Sequence, residues 1–363
     1  MQVFKAEEEV EGGYDVTVDF IRAYSMVLVL LLHSSNEYYK CVMETPIDSE
    51  WSWWVATFYK SLSLPCVPLF VILSGSLLLQ NSKVNEPIKL FFRKRFSRIV
   101  PAFIFWSFIY LAWAFFTSKA PITIENIFNG LMYSFFTGAY YHFWFIYMII
   151  GLYMLTPILR VLVASNNQKI LEYTLILWFI NVSIFPLIEF ITGYSLHDSL
   201  FVLCGFVGYY ILGVYLRGVS PNRLMLYGLY AISLMSTIVG TWILTFYYPI
   251  EGYTYLFFDY LSMNVVVEST TLFIILSKLT SFKSRLSRVY PVIRLIGGNT
   301  LPIYFLHVIV METIQRGYLG VKISITEINP LLGIPLVAAT TILATLGIVL
   351  ILKRIPFIRN LIG

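Results

Sequence analysis

The chain has 363 residues, 58% hydrophobic and only 12% charged, with a mean hydropathy of +0.76. A water-soluble domain needs far more polar surface than this, so the chain reads as membrane-embedded. The net charge of +5 and isoelectric point near 8.9 fit loops facing anionic lipid and give no reason to infer a nucleic-acid partner.

Residues 1–17 read as a cytoplasmic leader, acidic at Glu7, Glu8, Glu9 and Glu11. With no basic start and no Ala-x-Ala site, the leader and the apolar run after it do not read as a cleaved signal peptide. Apolar stretches of about 18 to 25 residues follow, each long enough to cross hydrocarbon. They predict spans near 18–36, 55–79, 99–117, 141–163, 172–190, 199–217, 223–246, 257–279, 297–315 and 331–352. The expectation is an all-α polytopic membrane protein of about ten transmembrane helices in one domain over 18–355, with a cytoplasmic tail at 356–363. Basic segments 83–98, 160–169, 217–223, 278–294 and 353–359, with Lys5, hold 19 of the 25 Lys and Arg residues. Placing all of them inside puts both termini in the cytoplasm and the protein, multi-pass, in the plasma membrane.

In the first span Asp19 and Arg22 precede an apolar run that ends at His33. Arg22 and His33 are eleven residues apart, about three helical turns and roughly 16 Å, so they share a face. Ionisable groups inside a bilayer are costly and commonly mark a site or pathway. One of this pair is a permanent cation, and the other titrates near neutrality. The plainer reading has Arg22 snorkelling to headgroups and His33 ending a helix.

Further on, Arg95 and Arg98 stand one turn apart in the basic run Phe91–Pro101. Two guanidinium groups at that spacing suit a phosphate, although a positive-inside anchor has the same composition. His142-Phe143-Trp144-Phe145 opens the fourth span, as an aromatic belt or as rings on which a sugar stacks. Tyr304 and His307, one turn apart, share a face late in the chain, although an intramembrane His is often an interhelical hydrogen-bonder. Glu312 is placed to pair with Arg316, and Glu189, Asp259 and Glu268 are unassigned charges within or near spans. Cys41, Cys66 and Cys204 support neither a disulfide framework nor a metal cluster, and the dispersed histidines give no metal site.

Taken in order, these segments resemble the acyltransferase family 3 integral membrane proteins, and within them the surface-polysaccharide O-acetyltransferase branch that includes the enzyme acting on enterobacterial common antigen. The matching landmarks are Arg22 with His33, the Pro68–Gly75 segment (similar to a family turn), Arg95-x-x-Arg98-x-x-Pro101, His142-x-Trp144-Phe145, and Tyr304-x-x-His307. Val71 and Ser76 depart from the aromatics usual at those positions. The extra extracytoplasmic domain common in the family is not expected, so the membrane domain itself would modify the acceptor.

The resemblance implies transfer of an acyl group, most simply acetyl from cytoplasmic acetyl-CoA, to a hydroxyl of a cell-surface glycan or lipid-linked saccharide. His33 is then the catalytic base or a transient acyl carrier. Arg22, Arg95 and Arg98 hold the donor's anionic head, and His142, Trp144, Tyr304 and His307 contact substrate. No cofactor is permanently bound; acyl-CoA is a co-substrate, and membrane lipids surround the protein. The competing class is a non-enzymatic exporter or flippase of a glycan or its precursor.

Overall fold

The computed structural model describes residues 16–44, 50–119, 121–194, 205–248, 255–279, 288–320, 322–324 and 327–363. Among these, all regular elements are helical. Eight helices are long and apolar enough to cross a membrane, and the broken pair Tyr290–Gly297 and Thr300–Arg316 makes a ninth if counted as one span. The protein is a polytopic, multi-pass membrane protein. The sixth expected span starts within 195–204, outside the described residues; beyond them it is the helix Val207–Tyr215.

Helix boundaries follow from where the chain has breakers. Helix α1, Val16–Glu44, holds neither Gly nor Pro and runs 29 residues, about 43 Å, well beyond the hydrocarbon thickness. It therefore continues through Ser34 and Ser35 to Cys41 and beyond, past residue 36 where the expected span ended. The two serines avoid breaking it by donating to the carbonyls of Leu30 and Leu32, at 2.9 and 3.0 Å. The second span is interrupted at Leu64-Pro65, giving α2, Glu50–Ser63, and α3, Cys66–Leu78, because proline brings no N–H to the ladder. The Pro68–Gly75 segment is helical within α3 rather than a turn.

Next come α4, Ile88–Ser118, and α5, Ile124–Thr137. The latter occupies what composition alone presented as loop. Its start is set by Thr123, whose hydroxyl accepts from the Asn126 N–H at 3.1 Å. Helix α6 is Trp144–Ala164. Helix α7, Gln168–Phe179, joins α8, Phe185–Thr192, through a π-turn at Ile180–Ile184, just before Pro186. The remaining helices are α9, Val207–Tyr215; α10, Arg223–Phe246; α11, Met263–Leu279; α12, Tyr290–Gly297; α13, Thr300–Arg316; α14, Pro330–Leu352; and α15, Pro356–Arg359.

The chain divides into two compact units. The first comprises 1–84, 158–298 and 325–338, and the second 85–157, 299–324 and 339–363. In the first, α1 packs on α2, α3, α11 and α12, and α3 packs closely on α9. The α3–α9 approach requires glycine on both sides. A Cβ at Gly75 would lie 1.8 Å from the Tyr210 carbonyl oxygen, and one at Gly213 2.1 Å from that of Ile72. In the second unit α4 packs on α5 and α13.

Three contacts tie basic side chains to backbone carbonyls in the first unit. The carbonyls ending α3 receive Arg160 Nε on Leu78 (2.8 Å) and Lys83 Nζ on Leu77 (2.7 Å), so these two cations share one helix end. Cations there complement the helix dipole. Arg160 is therefore a buried helical cap within α6, not a loop residue. Lys278 Nζ reaches the Pro221 carbonyl at 3.1 Å. In the second unit, burial and the nearby Arg98 charge hold the Lys353 ammonium below the usual lysine range.

Gly75→Ala should lower the apparent melting temperature in detergent by several degrees, since backbone must shift to admit the methyl. Gly347→Ala, where nothing lies within 4 Å, should leave it unchanged or raise it slightly. Scanning fluorimetry of both variants checks the pair.

Candidate functional site

In the second unit α13 and the turn before α6 bring three of the expected residues onto one another. Tyr304 and His307 sit on α13, 7% and 0% exposed, and His142, 2% exposed, immediately precedes α6. The His142 ring lies 5.4 Å from Tyr304 and 5.5 Å from His307 by ring centroids. The Tyr304 hydroxyl donates to the His142 carbonyl. His307 Nδ1 stands 2.6 Å from the carbonyl of Tyr304. A carbonyl only accepts, so Nδ1 carries the proton there and Nε2 is the basic nitrogen of the neutral ring.

Tyr110 of α4 was not singled out in sequence, yet it closes this cluster. Fully buried, it donates to the Phe305 carbonyl at 2.6 Å and its ring sits 5.0 Å from His142. Phe143 packs on Tyr110 and Phe305, at 5.3 and 5.5 Å. Trp144 is 38% exposed; its ring meets Phe145, which in turn lies 5.3 Å from Tyr304. No pattern in the sequence marked Tyr110, because a tyrosine within an aromatic-rich span looks like its neighbours.

Glu312, five residues beyond His307 and 7% exposed, anchors the end of this arrangement. It accepts from Trp113 Nε1 at 2.9 Å and from the Tyr140 hydroxyl. Its expected partner Arg316 is present at 3.7 Å, with a half-exposed side chain. The whole forms two imidazoles walled by rings, with a fixed carboxylate beyond them. It gathers two titratable rings and a carboxylate among buried aromatic side chains.

The first unit holds the other expected pair. Arg22 and His33 are both half-buried on the unbroken α1. Asp19, one turn before Arg22, accepts from the Tyr290 hydroxyl at 3.5 Å. Two buried ionisable side chains accompany them. Lys60 of α2, 5% exposed, has its ammonium 4.2, 5.1 and 4.1 Å from the ring centroids of Tyr39, Tyr255 and Phe258, a cation–π enclosure. A lone lysine within an apolar span was a legible signal for it. Glu268 of α11 is fully buried, and neither carboxylate oxygen has a hydrogen-bond partner among the described residues. Tyr24 and Tyr230 lie within electrostatic reach of it.

Arg95 and Arg98 are on α4 in the second unit. Arg95 is half-buried, with its guanidinium carbon 5.8 Å from the Phe91 centroid, and its Nε has no partner among the described residues. Arg98 is exposed and adds its charge beside Lys353. This basic patch is suited to an anion. Among the described residues, no three His, Cys, Asp or Glu side chains gather as a metal site.

Helical spans carrying buried histidine, tyrosine and arginine groups define an integral membrane protein with polar machinery in its interior. Residues 15–353 match the acyltransferase domain model of the acyltransferase 3 family, and the chain belongs to that family. Searches of curated proteins and of solved structures each return no significant match.

Glu312→Ala strands the Trp113 and Tyr140 donors and should cost ~2–3 kcal/mol in unfolding free energy. Arg316→Ala removes a partly exposed ion pair and should cost about 1 kcal/mol or less. Thermal unfolding of the two variants in detergent measures the difference.

Proposed function

We propose that this acyltransferase 3 protein transfers an acyl group, most simply acetyl, from cytoplasmic acyl-CoA to a glycan hydroxyl on the outer side. The reading places it with the surface-polysaccharide O-acetyltransferases. What carries it is the Arg22–His33 pair on one uninterrupted helix of a family member matched along 15–353.

Each residue then has a defined task. Arg95 and Arg98 bind phosphate groups of the donor's head, with Arg22 supplying a further planar, bidentate cation deeper in the membrane. His33, as neutral imidazole, takes the proton from the acceptor hydroxyl as its oxygen attacks the thioester carbonyl. The C–S bond breaks as the tetrahedral intermediate collapses, and the same proton returns to the departing thiolate. Products are the O-acyl ester and free CoA thiol, so the step needs no oxidant or metal. His142, Tyr304 and His307 orient the acceptor, with the surrounding rings offering stacking surface. A glycan or lipid-linked saccharide is the partner with the chemistry for that surface.

The purified protein should release CoA thiol from acetyl-CoA in the presence of glycan acceptor. His33→Ala should abolish release while retaining donor binding. Arg22→Lys keeps the charge but loses the fork, and should weaken donor affinity about tenfold. Release undiminished in His33→Ala contradicts the assignment of the base. Acceptor movement across the membrane without any acyl donor would replace the reading with an exporter.

A further inference from the structure

The first unit contains a cavity of about 810 Å³ that the acyl-transfer reading does not use. The π-turn and Pro186 form one wall, α10 from Leu229 to Ser236 a second, α11 from Met263 to Val267 a third, and residues 255–262 its rim. Volume and lining are those of a small-molecule site, largely apolar with a few polar groups. All three walls are spans, so the surrounding solvent is lipid.

The side-chain donors of Ser183, Ser233, Ser236 and Asn264, which line it, are turned to the protein's own needs. The Ser183 hydroxyl donates to the Leu261 carbonyl at 2.7 Å, Ser233 to Tyr230 at 2.9 Å and Ser236 to Ser233 at 2.7 Å. Asn264 Nδ2 is shared between the Thr237 hydroxyl and the Phe257 carbonyl, each at 2.7 Å. With those donors committed, the interior selects by shape and hydrophobicity. Its openings are also informative. Ile232, 67% exposed, and Met263, 37% exposed, line it, so it is open to the surroundings between its membrane-spanning walls.

The rim is different in character. Asp259 is exposed and is the one charged residue among the described lining residues. Its Oδ1 accepts from the Leu261 N–H at 2.7 Å, which fixes the carboxylate at the mouth. An apolar interior with an acidic rim excludes a bare anionic head and favours one that donates hydrogen bonds.

We infer that this cavity is a lipid site. It seats one hydrocarbon chain of a membrane lipid whose head presents N–H or O–H donors to Asp259. The occupant's chain would rest on Phe257 and Tyr255, and Tyr255 in turn packs on Tyr39, ring centroids 6.4 Å apart, and on Lys60. The lipid thereby braces the aromatic enclosure at the outer end of α1. This assignment stands apart from the acyl-transfer reading and survives or fails without it.

The test uses the full chain in nanodiscs with a phosphatidylethanolamine carrying a diazirine midway along one acyl chain. Irradiation should place adducts within 229–236 and 263–267. Ser236→Trp, which fills the cavity, should reduce that labelling about tenfold, the loss expected from excluding about two methylenes. Labelling at lipid-facing Leu343, 69% exposed, is the background and should not change. Val267→Phe is the second filling variant, and if neither variant folds, the wild-type adduct pattern decides. Unlabelled phosphatidylethanolamine or an alkyl glucoside should compete, and the better of the two identifies an amine or a sugar head. Even labelling across lipid-facing residues, or unchanged labelling in a folded filling variant, would overturn the site. Equal competition by phosphatidylcholine, whose head has neither N–H nor O–H, overturns the head assignment, and stronger competition by palmitoyl-CoA gives the cavity to a donor chain instead.

Discussion

Hydrocarbon neither donates nor accepts a hydrogen bond, so a polar side chain in this protein needs a partner on its own backbone or on a neighbouring helix. The small hydroxyls take the local route. Ser25, Thr156, Thr241 and Ser277 each donate to the carbonyl four residues back. Larger and charged groups cannot, and a central charge costs ~3 kcal/mol even by the lenient insertion scale. Lys60 answers with three aromatic rings, Arg160 with the last carbonyls of α3, and Glu312 with an indole, a phenol and a guanidinium. These solutions hold helices in register, and they also leave the chemistry-bearing groups in fixed positions.

The two units make different use of that constraint. In the second, ring packing and two carbonyl acceptors orient His142, Tyr304 and His307, so the imidazoles sit in a walled, nearly dry environment. In the first, a single long helix carries Arg22 and His33 at a separation set by helical rise alone. A base placed by backbone geometry, as we propose for His33, tolerates little adjustment. That suits a reaction whose donor is long and flexible, because the donor supplies the reach. Membership of the acyltransferase 3 family gives this arrangement its chemical context.

Much of this was legible in the sequence, for identifiable reasons. Spans announce themselves because hydrocarbon demands long apolar runs, and Tyr304 and His307 were placed together by the 3.6-residue period. Contacts between distant segments were not legible. Tyr110 and Tyr140 are 195 and 172 residues from the partners they bond, and nothing local distinguishes them from belt aromatics. Helix ends were misjudged where breakers were inferred from polarity. The polar stretch at His33, Ser34 and Ser35 looked like a helix end, yet back-bonding keeps it helical, while Pro65 interrupted a stretch that hydropathy presented as continuous. The apolar cavity was invisible for the same reason: its walls come from three separate stretches of chain.

The central claim is that an acyl group supplied on one face of the membrane appears as an ester on the other. Proteoliposomes of uniform orientation, with radiolabelled acetyl-CoA confined to the face bearing Arg98 and glycan acceptor confined to the opposite face, test it directly. The account predicts labelled ester on the acceptor side, dependent on His33, while CoA remains where it was supplied. Ester formed only when donor and acceptor share a face would contradict it.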